Sequence, residues 1–233
     1  MTERRQRPRP RSRRLPREVR ERQILEAAVQ VFAERGFHSA SMDEISEVAG
    51  ISKPMLYTYL GTKDELFVAC VRGEAGKLIE SIGAAAGEDR APEDQLWWGL
   101  RLFFDHVHRN RSGWAILHRQ ADTGSEPFVT EIVDTRHRAT ELVAGLLAAA
   151  TDGSARPMQP AQTAPFAAAL VGAVESLVQW WFEHPEHTAD GMALRLMNMV
   201  WLGFGNLVEG RSWSPSERGP VPGESGSGGV QPG

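Results

Sequence analysis

Cysteine is nearly absent from this 233-residue chain: Cys70 stands alone. A lone thiol excludes an intrachain disulfide framework and suits a reducing compartment; its plainest role is a small apolar filler on a helix. Long apolar runs are missing too. None reaches the roughly 18 residues that cross a bilayer, so no membrane partner is expected. The Arg-rich start is not followed by an apolar segment, which argues against a secretory signal and predicts a cytoplasmic protein. There is no Gly-rich phosphate loop, no nucleophile elbow and no cluster of Cys and His at ligand spacing. His106 and His108 lie two apart on a predicted helix and point to different faces. His184 and His187 flank Pro185 in a turn. These gaps argue against an enzyme, and no cofactor or metal is expected.

Charge, by contrast, is abundant and unevenly placed. Residues 1–22 hold ten Arg against Glu3, Glu18 and Glu21, a balance of +7, while the whole chain sums to −4. A basic arm ahead of an acidic body points to a polyanionic partner at one end only. Met1 to Pro16 has almost nothing apolar to bury and predicts a disordered arm. Arg211 to Gly233, rich in Gly, Ser and Pro, predicts a disordered tail.

Between these ends the periodicity is helical and no stretch demands a strand, so the class is all-α. Ile24, Ala27, Ala28, Val31 and Phe32 recur at three- and four-residue steps and predict a helix over 17–35, closed by Gly36. Ser41 with Glu44 fits a capping box and opens a short helix over 42–49, with Ile45, Val48 and Ala49 inward. Gly50 supplies a turn of positive φ, and Ile51 anchors it. Ser52 caps a helix over 53–59, whose first turn tolerates Pro54. Thr62 and Glu65 form a second capping box and start a long helix. Further helices follow from Pro92, across Trp114 to Gln120, from Ser125 to about Ala150, and over 161–183 and 188–209.

Two short helices around a Gly turn are the layout of a helix-turn-helix. The run from Ala27 to Val71 resembles the DNA-binding domain of the TetR/AcrR family of transcriptional repressors. The likeness rests on Phe32, Gly36, the capped Met42–Ala49 helix, Gly50-Ile51-Ser52, Leu56-Tyr57, Lys63 and Glu65-Leu66. Leu60 stands where the family usually has an aromatic, and Tyr59 where His is frequent. The resemblance implies an N-terminal three-helix DNA-binding domain at 17–62, preceded by the arm at 1–16. A connecting helix at 63–87 then leads to a helical-bundle domain for ligand binding and dimerisation at 88–210, followed by the tail at 211–233. It also implies a double-stranded, near-palindromic DNA operator, a homodimer formed through the last two helices, and a small-molecule effector that releases the DNA.

The side chains suit that reading. The resemblance implies that the 53–59 helix lies in the major groove, with Lys53 and Pro54 at its start and Met55 and Thr58 able to touch thymine methyls. Tyr57 and Tyr59 offer hydroxyls to phosphates. The family's equivalents of Ser41 and Lys63 contact phosphates, and both residues sit at helix N-termini, where the dipole favours an anion. Arg11, Arg13 and Arg14 precede the first helix and can enter a neighbouring minor groove.

All seven tryptophans lie beyond the connecting helix, six of them in the body. Leu100, Phe103, Phe104, Trp114, Leu117, Phe128, Ile132 and Trp180 are the apolar candidates for lining an effector chamber, with His118 and Glu175 as polar ones. Plain core is the competing role for each. The aromatic content suits an apolar or amphipathic effector, such as an aromatic drug, a fatty acid or an acyl-CoA. Two other readings stay open at this level: a DNA-binding regulator whose body only dimerises, and a helical enzyme.

Overall fold

The computed structural model describes residues 16–84, 90–119, 126–152 and 157–208. Nine helices and no strand occur among them: α1 Arg17–Ser39, α2 Met42–Val48, α3 Lys53–Leu60, α4 Lys63–Gly83, α5 Pro92–Arg109, α6 Arg111–Arg119, α7 Glu126–Ala149, α8 Pro160–Glu183 and α9 Ala189–Val208. The expected arm residues Arg11, Arg13 and Arg14, and the expected tail, lie outside the described residues, as does the side chain of Phe128.

The first four helices share one core. Phe32 of α1 meets Phe67 of α4 edge-on at 5.0 Å between ring centroids, and Phe37 meets Phe67 at 5.1 Å. Ile45 of α2 and Leu56 of α3 are fully buried against the same cluster. Sequence signals for these elements are local, and several details differ from what they predicted. Gly36 does not end the first helix. It takes φ 76°, kinks the chain, and lets one more turn run to Ser39. That turn places Phe37 in the core and leaves the His38 carbonyl at a helix end.

Ser41 accepts the Glu44 N–H at 3.1 Å, but the box is not reciprocal: the Glu44 carboxylate instead accepts from Arg35, also at 3.1 Å. Val48 faces solvent rather than the core. Ser52 makes no side-chain cap, because Pro54 already removes one of the N–H groups that need an acceptor. The Thr62–Glu65 box does form in both directions.

The body is built around α4. Its first turns, with Leu66, Phe67, Cys70 and Val71, belong to the N-terminal core, and its later turns, with Ala75 and Leu78, pack into the body. α4 touches α5, α6 and α7, while α6 also packs on α1. α5 pairs with α9, and α7 with α8. Thr163 of α8 is wholly buried and donates to the Ala144 carbonyl of α7 at 2.6 Å, fixing their register.

Among the described residues α8 is, by length and composition, apolar enough to cross a bilayer, with a mean hydropathy of 1.3 over its best window. It holds no unbroken apolar run of that length, because Thr163, Glu175 and Gln179 interrupt it. Its apolar side chains divide between two faces. Leu170, Val174, Val178 and Trp181 are buried in the body, while Phe166 and Trp180 are exposed.

Candidate nucleic-acid interface and inner chamber

α3 buries Leu56 and half-buries Leu60, which turns Lys53, Pro54, Tyr57 and Thr58 outward together, with Met55 on the flank. The turns on either side of the helix are made by Gly50 and Gly61, both at positive φ. Tyr59 is half-buried, and the Arg17 guanidinium lies 5.7 Å from its ring centre, so the start of α1 sits beside the last turn of α3. The Thr58 hydroxyl donates to the Pro54 carbonyl at 2.8 Å, leaving its methyl as the group available to a base.

Lys53 is not free. Its ammonium lies 2.9 Å from the Asp43 carboxylate of α2, and that hydrogen bond raises its pKa above the ordinary lysine value. Lys63 is also engaged, donating to the His38 carbonyl at 3.2 Å and lying 4.6 Å from the Phe37 ring centre. An ammonium has three protons, so one such bond leaves donors for a phosphate. Ser41 and Lys63 thus stand at the starts of α2 and α4, on the elements that flank the turn.

The second site is a cavity of about 350 Å³ inside the body, between α4, α5, α6, α7 and α8. Of the predicted lining set, Leu100, Phe103, Trp114, Leu117, His118, Ile132 and Glu175 are on its wall. Phe104 and Trp180 are not. Phe104 is buried on the other side of α5, edge-on to Trp181 at 5.8 Å. Trp180 is 41% exposed and stacks on His184 at 3.9 Å.

Sequence reasoning missed Leu78 and Ile82 of α4, Gln95 and Leu96 of α5, and Arg136 and Val143 of α7, all of which line the cavity. Arg136 left no signal, since a charged residue between apolar ones on a helix reads as a solvent-facing position. The wall is largely apolar, and its charged corner is where Arg136 lies 2.8 Å from Glu175 and His118 lies 3.6 Å from it. His118 stacks flat on Trp114 at 3.6 Å.

Both halves of this arrangement have known counterparts. Residues 24–70 match the bacterial regulatory proteins of the tetR family, and residues 92–203 match the tetracyclin repressor-like C-terminal domain. The chain superposes on a TetR-like transcriptional regulator from Rhodococcus sp. RHA1 with a TM-score of 0.69 and 41% identity, covering 82% of this chain and 99% of that one. This chain belongs to the TetR family. That family consists of DNA-binding transcriptional regulators, not enzymes.

Among curated TetR-family relatives, the transcriptional activator FasR of Mycolicibacterium smegmatis is 35% identical over 119 residues, which span 51% of this chain and 54% of that protein. The matched region is thus about half the length of that relative. The fold also matches FadR from Bacillus subtilis, whose structure is a complex with stearoyl-CoA, with a TM-score of 0.64 and 18% identity over 82% of this chain and 99% of that one.

Proposed function

We propose that this chain is a homodimeric regulator that binds a near-palindromic operator and changes its grip when an apolar or amphipathic effector enters the body. The observation that carries the proposal is that one helix serves both sites. α4 contributes Leu66, Phe67 and Cys70 to the core of the DNA reader and Leu78 and Ile82 to the wall of the chamber. A ligand that alters the chamber wall acts directly on the element that holds the reader. It shifts DNA affinity only to the extent that it prefers one arrangement of α4 over the other.

The base-facing set is Lys53, Met55 and Thr58, with Pro54 beside them at the start of the helix. Ser41, Tyr57, Tyr59 and Lys63 contact phosphates, and Arg11, Arg13 and Arg14 contact the minor groove. Two copies join through α8 and α9. The exposure of Phe166 and Trp180 on α8 and of Leu194, Met199 and Leu202 on α9 supports this, since apolar side chains on adjoining helices call for a cover. The chain divides into the arm at 1–16, the reader at 17–62, the connecting helix at 63–87, the effector and dimer domain at 88–210 and the tail at 211–233. It works in the cytoplasm, where its DNA is.

The largely apolar chamber suits a long-chain acyl compound, and the stearoyl-CoA complex of the Bacillus subtilis FadR gives that class precedence. Release from DNA lifts repression or withdraws activation according to where the operator lies. The test is fluorescence anisotropy on DNA flanking the chain's own coding region, with and without a series of acyl-CoAs, fatty acids and aromatic drugs. We expect saturable binding to that DNA with a steep salt dependence, and at least one effector that changes affinity about tenfold or more. Affinity equal to that for random DNA overturns the reader. Chamber binding that leaves operator affinity unchanged overturns the switch.

A further inference from the structure

The corner formed by His118 and Glu175 defines what the head of the effector must be. The inference rests on the chamber being the effector site and adds the chemistry of its polar end. The Nδ1 of His118 lies 3.2 Å from the Trp114 carbonyl oxygen. A carbonyl only accepts, so Nδ1 carries the proton, and in the neutral ring Nε2 is left as a lone pair. The Trp114 ring, stacked at 3.6 Å and 17° from parallel, holds the imidazole in that orientation.

Nε2 faces Glu175 Oε1 at 3.6 Å, too far for a hydrogen bond. With the ring neutral, two acceptors stand side by side at the edge of a largely apolar cavity. Arg136 does not relieve them, because its guanidinium bonds the other carboxylate oxygen, Oε2, at 2.8 Å, from a side chain that is mostly in solvent.

A donor placed between them gives one acceptor its missing partner, and a primary amide or an amine, with two protons, can serve both. A free carboxylate placed between those two atoms meets a lone pair and a second carboxylate, while Arg136 on that wall is already bonded to Glu175. We propose that the chamber selects an apolar chain ending in a hydrogen-bond donor (an amide N–H, a hydroxyl or an amine) and discriminates against the free acid of the same length. A thioester of a pantetheine-type carrier meets this requirement, since its carboxylate is masked and its arm carries amide N–H groups. A free fatty acid does not.

The experiment uses the full chain and three probes of equal length: decanamide, decan-1-ol and decanoate. Affinity is measured by calorimetry. We expect decanamide and decanol to bind wild type at least about tenfold more tightly than decanoate, the scale of one hydrogen bond to a charged group. Glu175→Gln turns one acceptor into a group that can donate and frees Arg136, so the preference should narrow or reverse toward decanoate. His118→Phe keeps the stack on Trp114 but removes Nε2, and should also reduce the preference.

Decanoate binding wild type as tightly as decanamide overturns the proposal, as does an unchanged ratio in folded Glu175→Gln and His118→Phe. Ala139→Trp, which fills the chamber from α7, separates that failure from a failure of the site itself. Probe binding that survives Ala139→Trp, or no binding of any probe to wild type, overturns the chamber as effector site and this inference with it.

Discussion

Glu74 of α4 accepts a hydrogen bond from the side-chain amide of Asn110, the residue between α5 and α6. The carboxylate is 4% exposed, and its other oxygen receives Lys77 at 2.7 Å. A Cβ on Gly113 would collide with both Glu74 and Asn110, so the joint between the helices is closed around this contact. Lys77 reaches solvent, so removing the carboxylate would not strand a buried cation. Glu74→Ala should therefore cost about 2 kcal/mol, the scale of hydrogen bonds to a charged group, rather than the larger loss of a fully buried ion pair. Melting curves should fall by about 4–8 °C. A double-mutant cycle with Asn110→Ala should show coupling of about 1 kcal/mol or more; additive losses would show that the contact contributes little.

Gly73 and Gly76 lie on the exposed side of α4, and a Cβ at either would meet nothing within 4 Å. They weaken the helix that links reader and chamber, with no steric need for glycine in this arrangement. Gly73→Ala with Gly76→Ala should stabilise the protein by about 1–2 kcal/mol and raise the melting temperature by several degrees. If α4 bends there during switching, the double variant should also bind operator with a smaller effector response in the anisotropy assay. A raised melting temperature with an unchanged response would place the bend elsewhere.

Cys70 is 1% exposed, and burial pushes its thiol up to about 12, with the nearby Glu74 carboxylate adding to the shift. A thiol in that state is neither ionised nor reachable at pH 8. An aromatic disulfide reagent should leave the native protein unmodified and titrate one thiol per chain in guanidinium chloride. Rapid labelling without denaturant would mean that α1 and α4 separate readily.

Burial holds His106 below the ordinary histidine value of 6.5, with Glu74 opposing the shift. The unfolded chain therefore takes up the proton more readily than the folded one. The stability tied to this group is complete above pH 6.5 and is lost as pH falls through the folded pKa. Melting temperature should drop between pH 7.5 and 5.5, and His106→Gln should reduce the drop. An equal drop in that variant would assign the acid sensitivity to other groups.

The reader was legible because its signals are short-range. Gly50, Pro54 and the Thr62–Glu65 box act within a few residues of where they stand, and a pattern of capped helices around one turn admits few arrangements. The chamber was only half legible, because neighbouring aromatics on a helix differ by 100° in direction and composition cannot choose between them. Phe103 faces the cavity while Phe104 faces Trp181. Trp181 is buried with its indole N–H on the His187 carbonyl at 2.8 Å, while Trp180 is turned out to solvent. Leu78 and Ile82 lie on a helix that reads as a connector, and nothing local marks their far end as a chamber wall. Arg136 was out of reach for a different reason: its part is set by Glu175 on another helix.

Lys53 is the only charged side chain on α3, and in the free protein it already has a partner in Asp43. The proposed contact of Lys53 with DNA thus competes with a bond already made. The ammonium, already held to Asp43 at 2.9 Å, shares its protons with the new acceptor or leaves the old one, and the carboxylate beside it repels the phosphates nearby. Where a duplex presents a good acceptor at that spot the trade proceeds; where it does not, Lys53 stays at home. If Lys53 meets DNA as proposed, the protein carries its own competitor for that lysine, and its grip is graded by what a site offers at one place and not by negative charge alone.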